Sequence, residues 1–170
     1  VITLLSLENK KEAKKTIVKM ADWAVDQEDA LLVILGLGSC VGVAFYDEFT
    51  KIGGLAHVML PESKGKNQVK SKYADTAIPF LLDKMIEKGA RRQRLQAKLV
   101  GGAGMFKTEA GQSVMQIGQK NIAAVKRVLK EEKIKIVGSD LAKDYGRSMY
   151  FNLIDGKIRV SAFNRQNMTL

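Results

Sequence analysis

At 170 residues, 46% hydrophobic and 27% charged, the chain is long enough to bury a core of its own, and we expect one globular domain over residues 1–170. It has no run of about 18 apolar residues, and residues 1–7 lead straight into a charged stretch without a signal-peptide pattern, so we expect a cytoplasmic protein without membrane insertion. One cysteine excludes an internal disulfide, one histidine argues against a metal cluster, and a net charge of +10 favours acidic partners.

In chain order, residues 8–25 read two ways. Ala13, Ile17, Met20, Ala21 and Ala24 fit a helical stripe, whereas 17–25 fits a strand. Residues 26–29 form an acidic turn, and 30–35 is a short apolar run suited to a buried strand that ends at Gly36. Residues 41–46 and 52–60, separated by the polar turn 47–51, predict successive antiparallel strands, a pairing that returns His57 towards Cys40. Pro61 ends the second strand, and 62–72 is a lysine-rich loop.

With Asp75 as candidate N-cap, Ile78, Leu81, Leu82, Met85 and Ile86 make one face of a helix that Gly89 closes. Residues 95–100 predict a strand running into a second glycine-rich turn, Gly101-Gly102-Ala103-Gly104-Met105-Phe106. After a loop, Ile122, Val125, Val128 and Leu129 define a second helix ending near Glu132. A strand follows over 134–138, then a polar turn over 139–146. Residues 147–154 and 157–163 about Asp155-Gly156 give the clearest hairpin signal in the chain.

The chemistry-bearing stretch is Gly36-Leu37-Gly38-Ser39-Cys40, which presents the chain's single cysteine, with the single histidine following at His57. A thiol reacts as thiolate, and an imidazole can take its proton and return it to a leaving group. Glycines upstream of Cys40 permit positive φ and expose the residue that follows, and such a turn aims backbone N–H groups at a shared concavity where an oxyanion can sit.

A dinucleotide-binding reading of Gly36, Gly38 and Gly42 fails because that fingerprint needs a helix next, where 41–46 reads as strand. The basic clusters lack a nucleic-acid reading motif and interleaved aromatics, so no nucleic-acid partner is expected. Nor is any cofactor or metal.

Gly36-Leu37-Gly38-Ser39-Cys40-Val41 followed by His57-Val58-Met59-Leu60-Pro61 resembles the chemoreceptor glutamine deamidases of the CheD family. The likeness continues through Tyr73-Ala74-Asp75, Lys88-Gly89-Ala90-Arg91, Lys98-Leu99-Val100-Gly101-Gly102-Ala103, Ile117-Gly118 with Asn121, and Ser139-Asp140-Leu141 with Gly146-Arg147. It covers roughly residues 30–162. The resemblance implies an α/β protein of the α+β type, a layered sandwich of mixed β-sheets with flanking helices. It also implies hydrolysis of receptor glutamine side chains to glutamate, with Cys40 as nucleophile and His57 as acid and base.

On that reading Gly38 and Ser39 lend orienting or oxyanion support. The partners are the cytoplasmic domain of a methyl-accepting chemoreceptor and a CheC-type phosphatase, with Met105 and Phe106 as an apolar contact for either. One departure matters. The family usually carries a threonine six positions before the cysteine to orient the histidine, and here that position is Ile34, which can neither donate nor accept a hydrogen bond. This leaves Ser39 or another polar group to orient the ring. The alternative is a CheD-like regulator, weak or inactive as an enzyme, that binds a phosphatase or receptors.

Overall fold

A computed structural model describes residues 14–65, 69–104 and 113–170 of the chain. Ten strands and two helices occur in the order β1 (Lys14–Ile17), β2 (Trp23–Gln27), β3 (Ala30–Leu37), β4 (Val41–Asp47), β5 (Ile52–Val58), α1 (Ala74–Glu87), β6 (Gln96–Gly101), α2 (Ser113–Glu131), β7 (Lys135–Leu141), β8 (Arg147–Asn152), β9 (Ile158–Ser161) and β10 (Met168–Thr169). They form two mixed sheets of five strands, ordered β1-β3-β8-β9-β10 and β2-β5-β4-β6-β7. Each contains one parallel pair, β1 with β3 and β6 with β7.

The period of 2 in β4 and β5 stacks these sheets. Val41, Val43 and Phe45, with Ile52, Ala56 and Val58, point one way and bury α1 and α2 through Ile78, Leu81, Leu82, Met85, Val125 and Leu129. Ala44 and Leu55 point the other way and meet Leu32, Ile34 and Leu37 of β3 and Met149 and Phe151 of β8. The layers are therefore helices, a central sheet and an outer sheet, which is the mixed-sheet α+β sandwich expected.

The described part of the ambiguous region, 14–25, is strand on both sides of a short link. β1 and β2 belong to different sheets, so residues 18–22 carry the chain from the outer sheet to the central one. The strand expected to stop at Gly36 continues to Leu37, with the register shift between Ile34 and Leu37 that marks a bulge; Gly36 takes φ +70° there, and Gly38 keeps an ordinary φ.

The cap of α1 is Tyr73, not Asp75. The Asp75 carboxylate instead accepts the N–H and hydroxyl of Ser63 at 3.0 and 2.9 Å, pinning the loop after β5. Helix α2 begins at Ser113, well before the stripe that predicted it, and β7 runs on to Leu141 through residues read as turn. The hairpin is present as β8 and β9, paired antiparallel.

Candidate active site

The β4–β5 ladder brings the cysteine and the histidine together. Gly42 faces His57 directly, so Cys40, two residues earlier, lies on the same face and diagonal to the histidine. In an antiparallel pair such diagonal neighbours sit roughly 7–8 Å apart at the backbone, within reach of a long side chain. Parity puts both on the outer-sheet side of the central sheet, where Cys40 is half-buried against the inter-sheet core and His57 is 3% exposed. A Cβ on Gly42 would stand 2.8 Å from Met149 Sδ and 3.2 Å from Ile34 Cδ1, so those side-chain ends would have to shift to admit one. Ile34 is thus a fully buried hydrocarbon beside the Gly42–His57 pair and contributes no polar atom.

The polar group nearest in kind to what Ile34 lacks is main-chain, at Val18. Val18 N–H donates to Val33 O at 2.8 Å, extending the β1–β3 pairing by one residue, and the Val18 backbone lies against the imidazole, where it pulls the ring's pKa upward. At the other end of the same link, Asp22 O accepts the backbone N–H of His57 at 3.0 Å. Burial holds the His57 pKa below its ordinary value, against the opposing pull of Val18, and among the described residues Nδ1 is buried without a hydrogen-bond partner. Burial also pushes the Cys40 thiol up, partly offset by its own backbone N–H. Around neutral pH both groups are uncharged at rest.

The turn before Cys40 is held by its carbonyls. Gly38 O accepts from Ala103 N–H at 2.8 Å, Ser39 O from Asn121 Nδ2 at 2.9 Å, and Cys40 O from Gly102 N–H at 2.7 Å. In successive peptide units the C=O of one residue opposes the N–H of the next. Tying down the Gly38 and Ser39 carbonyls therefore turns the N–H groups of Ser39 and Cys40 the other way. Among the described residues no backbone carbonyl takes either of them.

Two of the clamps come from the second glycine turn, where Gly101 and Gly102 adopt φ +119° and +67° and a Cβ on Gly101 would lie 2.3 Å from Cys40 O. Arg147, 2% exposed, fixes that turn from beneath by donating to Gly101 O at 2.9 Å while pairing with Asp140 at 2.8 Å.

Of the residues singled out in the sequence, Cys40, His57, Ser39 and Gly38 converge, the last two through their backbones and not through the Ser39 hydroxyl. Met105 and Phe106 lie outside the described residues. Asn121, named in the sequence only as part of the family resemblance, and the Val18 backbone were not singled out as site residues. Asn121 had left a signal, a polar residue next to Ile122 in a helical stripe that is otherwise apolar. Among the described residues no three His, Cys, Asp or Glu side chains gather as metal ligands, and no helix is long and apolar enough to cross a membrane.

Fold and site together describe an α+β sandwich of two mixed sheets that presents a cysteine and a histidine at the rim of its inter-sheet layer. Residues 59–162 match the family model described as CheD chemotactic sensory transduction. The chain is 43% identical to the probable chemoreceptor glutamine deamidase CheD of Caldanaerobacter subterraneus subsp. tengcongensis, over 88% of this chain and 93% of that one. It is 43% identical to the probable chemoreceptor glutamine deamidase CheD of Clostridium novyi (84% and 90%) and 41% identical to the chemoreceptor glutamine deamidase CheD of Thermotoga maritima (86% and 90%). This chain belongs to the CheD family. A solved structure, Bacillus licheniformis hypothetical protein YfiH, overlaps 72% of this chain and 49% of that one at 13% identity and a TM-score of 0.39, a likeness too slight to bear on the assignment.

Proposed function

We propose that the chain hydrolyses the side-chain carboxamide of glutamines in the cytoplasmic domain of chemoreceptors, giving glutamate and ammonia, with Cys40 as nucleophile and His57 as acid and base. The family it belongs to and the names of its relatives support the reaction. The single observation that supports the roles is the diagonal placement of Cys40 and His57 on one sheet face.

Because burial raises the thiol and lowers the imidazole, the resting pair is neutral, and the thiolate forms when the imidazole takes the thiol proton as the substrate arrives. Sulfur attacks the carboxamide carbon, an S–C bond forms, and the carbonyl π pair moves onto oxygen. The N–H groups of Ser39 and Cys40, turned outward by their clamped neighbours, receive that oxyanion. On collapse the C–N bond breaks, and the imidazolium gives its proton to the departing amine, which leaves as ammonia. His57 then takes a proton from water, the hydroxide attacks the thioester carbon, and the S–C bond breaks to leave a carboxylate and regenerate the thiol. The Val18 carbonyl holds the ring through both proton transfers.

The test is ammonia release from a glutamine-containing receptor cytoplasmic fragment, with peptide-mapped amide-to-acid conversion, by wild type and by Cys40→Ala. Conversion of specific glutamines by wild type alone is the expected result. Ile34 favours a second reading, a regulator that binds receptors or a CheC-type phosphatase in the cytoplasm without doing chemistry. Equal binding by both proteins with no conversion by either would replace the first reading with the second.

A further inference from the structure

We propose that Asn121 is a positioning residue that sets the geometry of Cys40 against His57. This rests on the deamidase reading and adds to it a residue that touches neither substrate nor sulfur.

Asn121 is fully buried on α2, one turn after Gly118. Gly118 lets the helix approach the second glycine turn closely, since a Cβ there would be 2.7 Å from Gly102 O and 2.8 Å from Ala103 O. From that position the Asn121 amide nitrogen donates twice, to Ser39 O at 2.9 Å and to Met59 O at 2.8 Å. Ser39 immediately precedes Cys40, and Met59 is two residues beyond His57.

Both partners are carbonyls, so the amide can present only its NH2 to them, and its orientation is fixed by chemistry. The two carbonyls also lie where the sheet ladder has ended. Met59 and Leu60 N–H have turned to Lys72 O, at 2.9 and 3.1 Å, and Ser39 lies between β3 and β4. One NH2 group thus ties the end of the cysteine turn to the end of the histidine strand.

The side chain is engaged on one side only: among the described residues Asn121 Oδ1 is buried with no partner, while its NH2 makes both bonds. An apolar residue would pack in the helix stripe, but it would leave the carbonyls of Ser39 and Met59 without their donor and the Ser39–Cys40 peptide free to rotate. Rotation of that peptide would turn the Cys40 N–H and move the sulfur relative to the imidazole.

The chain's single cysteine makes alkylation by iodoacetamide an unambiguous probe of this geometry. The rate is measured against pH by intact mass for wild type, His57→Ala, Asn121→Asp, Asn121→Ala, and each Asn121 variant combined with His57→Ala. Asn121→Asp keeps the shape but turns an acceptor on two carbonyls, and Asn121→Ala removes both donors. In wild type, loss of His57 is expected to slow alkylation by about tenfold near neutral pH and to move its pH midpoint upward. In either Asn121 background the same loss is expected to change the rate by less than about twofold, with the midpoint already moved.

A merely structural role would lower the melting temperature and leave the His57 dependence and the midpoint as in wild type. That result in a folded variant overturns the proposal while sparing the deamidase reading. No His57 dependence in wild type would remove the Cys40–His57 pairing itself, and this role with it. Should both variants fail to fold, the side-chain amide resonances of wild-type Asn121 decide: they are expected to move with the pH midpoint of the His57 ring, and a flat response overturns the proposal.

Discussion

Strand β4 ends in Asp47 at one extremity and follows Cys40 at the other, and the protein treats the two ends differently. Asp47 is fully buried and its carboxylate accepts from the N–H of Arg91 at 2.9 Å, the Arg94 guanidinium at 2.8 and 3.1 Å, and the N–H groups of Phe49 and Thr50. Burial alone would raise its pKa, but these bonds outweigh it and hold the carboxyl below its ordinary value. At the Cys40 end the clamping bonds go to backbone carbonyls, while His57 Nδ1 and Asn121 Oδ1 are buried without partners among the described residues and Cys40 and His57 rest uncharged. One end is a carboxylate saturated with donors that secures the chain from β4 into the 91–94 segment, even though the Thr50 hydroxyl beside it is itself unpaired among the described residues. The other keeps proton-accepting capacity unspent, as a site must if a proton is to move there during a reaction.

That contrast can be broken by substitution. The largest effect belongs to Cys40→Ala, expected to abolish ammonia release, a loss of at least about a thousandfold, with a melting temperature within a few degrees of wild type. His57→Ala follows, with turnover reduced by about 10²–10⁴. At the other end the pattern reverses. Asp47→Ala strands the Arg91 N–H and the Arg94 guanidinium and should cost about 2–4 kcal/mol in urea unfolding, with turnover per folded molecule unchanged. A large drop in turnover per folded molecule would show that the two ends are coupled.

Ile34→Thr restores the residue type usual in the family but sets a hydroxyl in the inter-sheet core. The expected cost is about 2 kcal/mol with turnover altered by less than about threefold, since in the proposed mechanism the Val18 carbonyl already holds the ring. A tenfold gain in turnover would mean that carbonyl is a poor substitute.

The smallest effect is the pH dependence of stability. His57 has a folded pKa below its unfolded value near 6.5, so the unfolded chain takes up the proton first, and stability falls as pH drops below about 6.5. Cys40 is raised above its ordinary value of 9.0, so the unfolded chain loses its proton first, and stability falls as pH climbs past that. Thermal melts should show a plateau between the two, with the acid shoulder reduced in His57→Ala and the alkaline shoulder in Cys40→Ala.

Where side-chain pattern dictates the backbone, the sequence could be read. The β-branched and aromatic residues of β4, the turn after it and the Asp155-Gly156 hairpin led to the right pairings, and β4–β5 pairing was enough to bring His57 to Cys40. The first turns of α2 were illegible because Gly118 and Asn121 face inward for close approach and hydrogen bonding, so the buried face does not look apolar there. Asp75 was misread as a cap because its carboxylate serves a distant loop. The influence of Val18 on His57 could not be found by any inspection of side chains, since it comes from a peptide group whose position depends on the pairing of β1 with β3.

That choice of partner changes what heredity can do to the site. A threonine that orients a histidine can be lost by a single codon change, whereas the carbonyl at residue 18 is present whatever amino acid the codon specifies. Only changes that displace the main chain, such as a deletion within 14–22 or a slip of β1 along β3, can take it away. On the reading proposed above, the orientation of His57 is encoded in strand register instead of residue identity, so position 34 answers only to the packing of the core, and the site is expected to be less tolerant of insertions and deletions before β2.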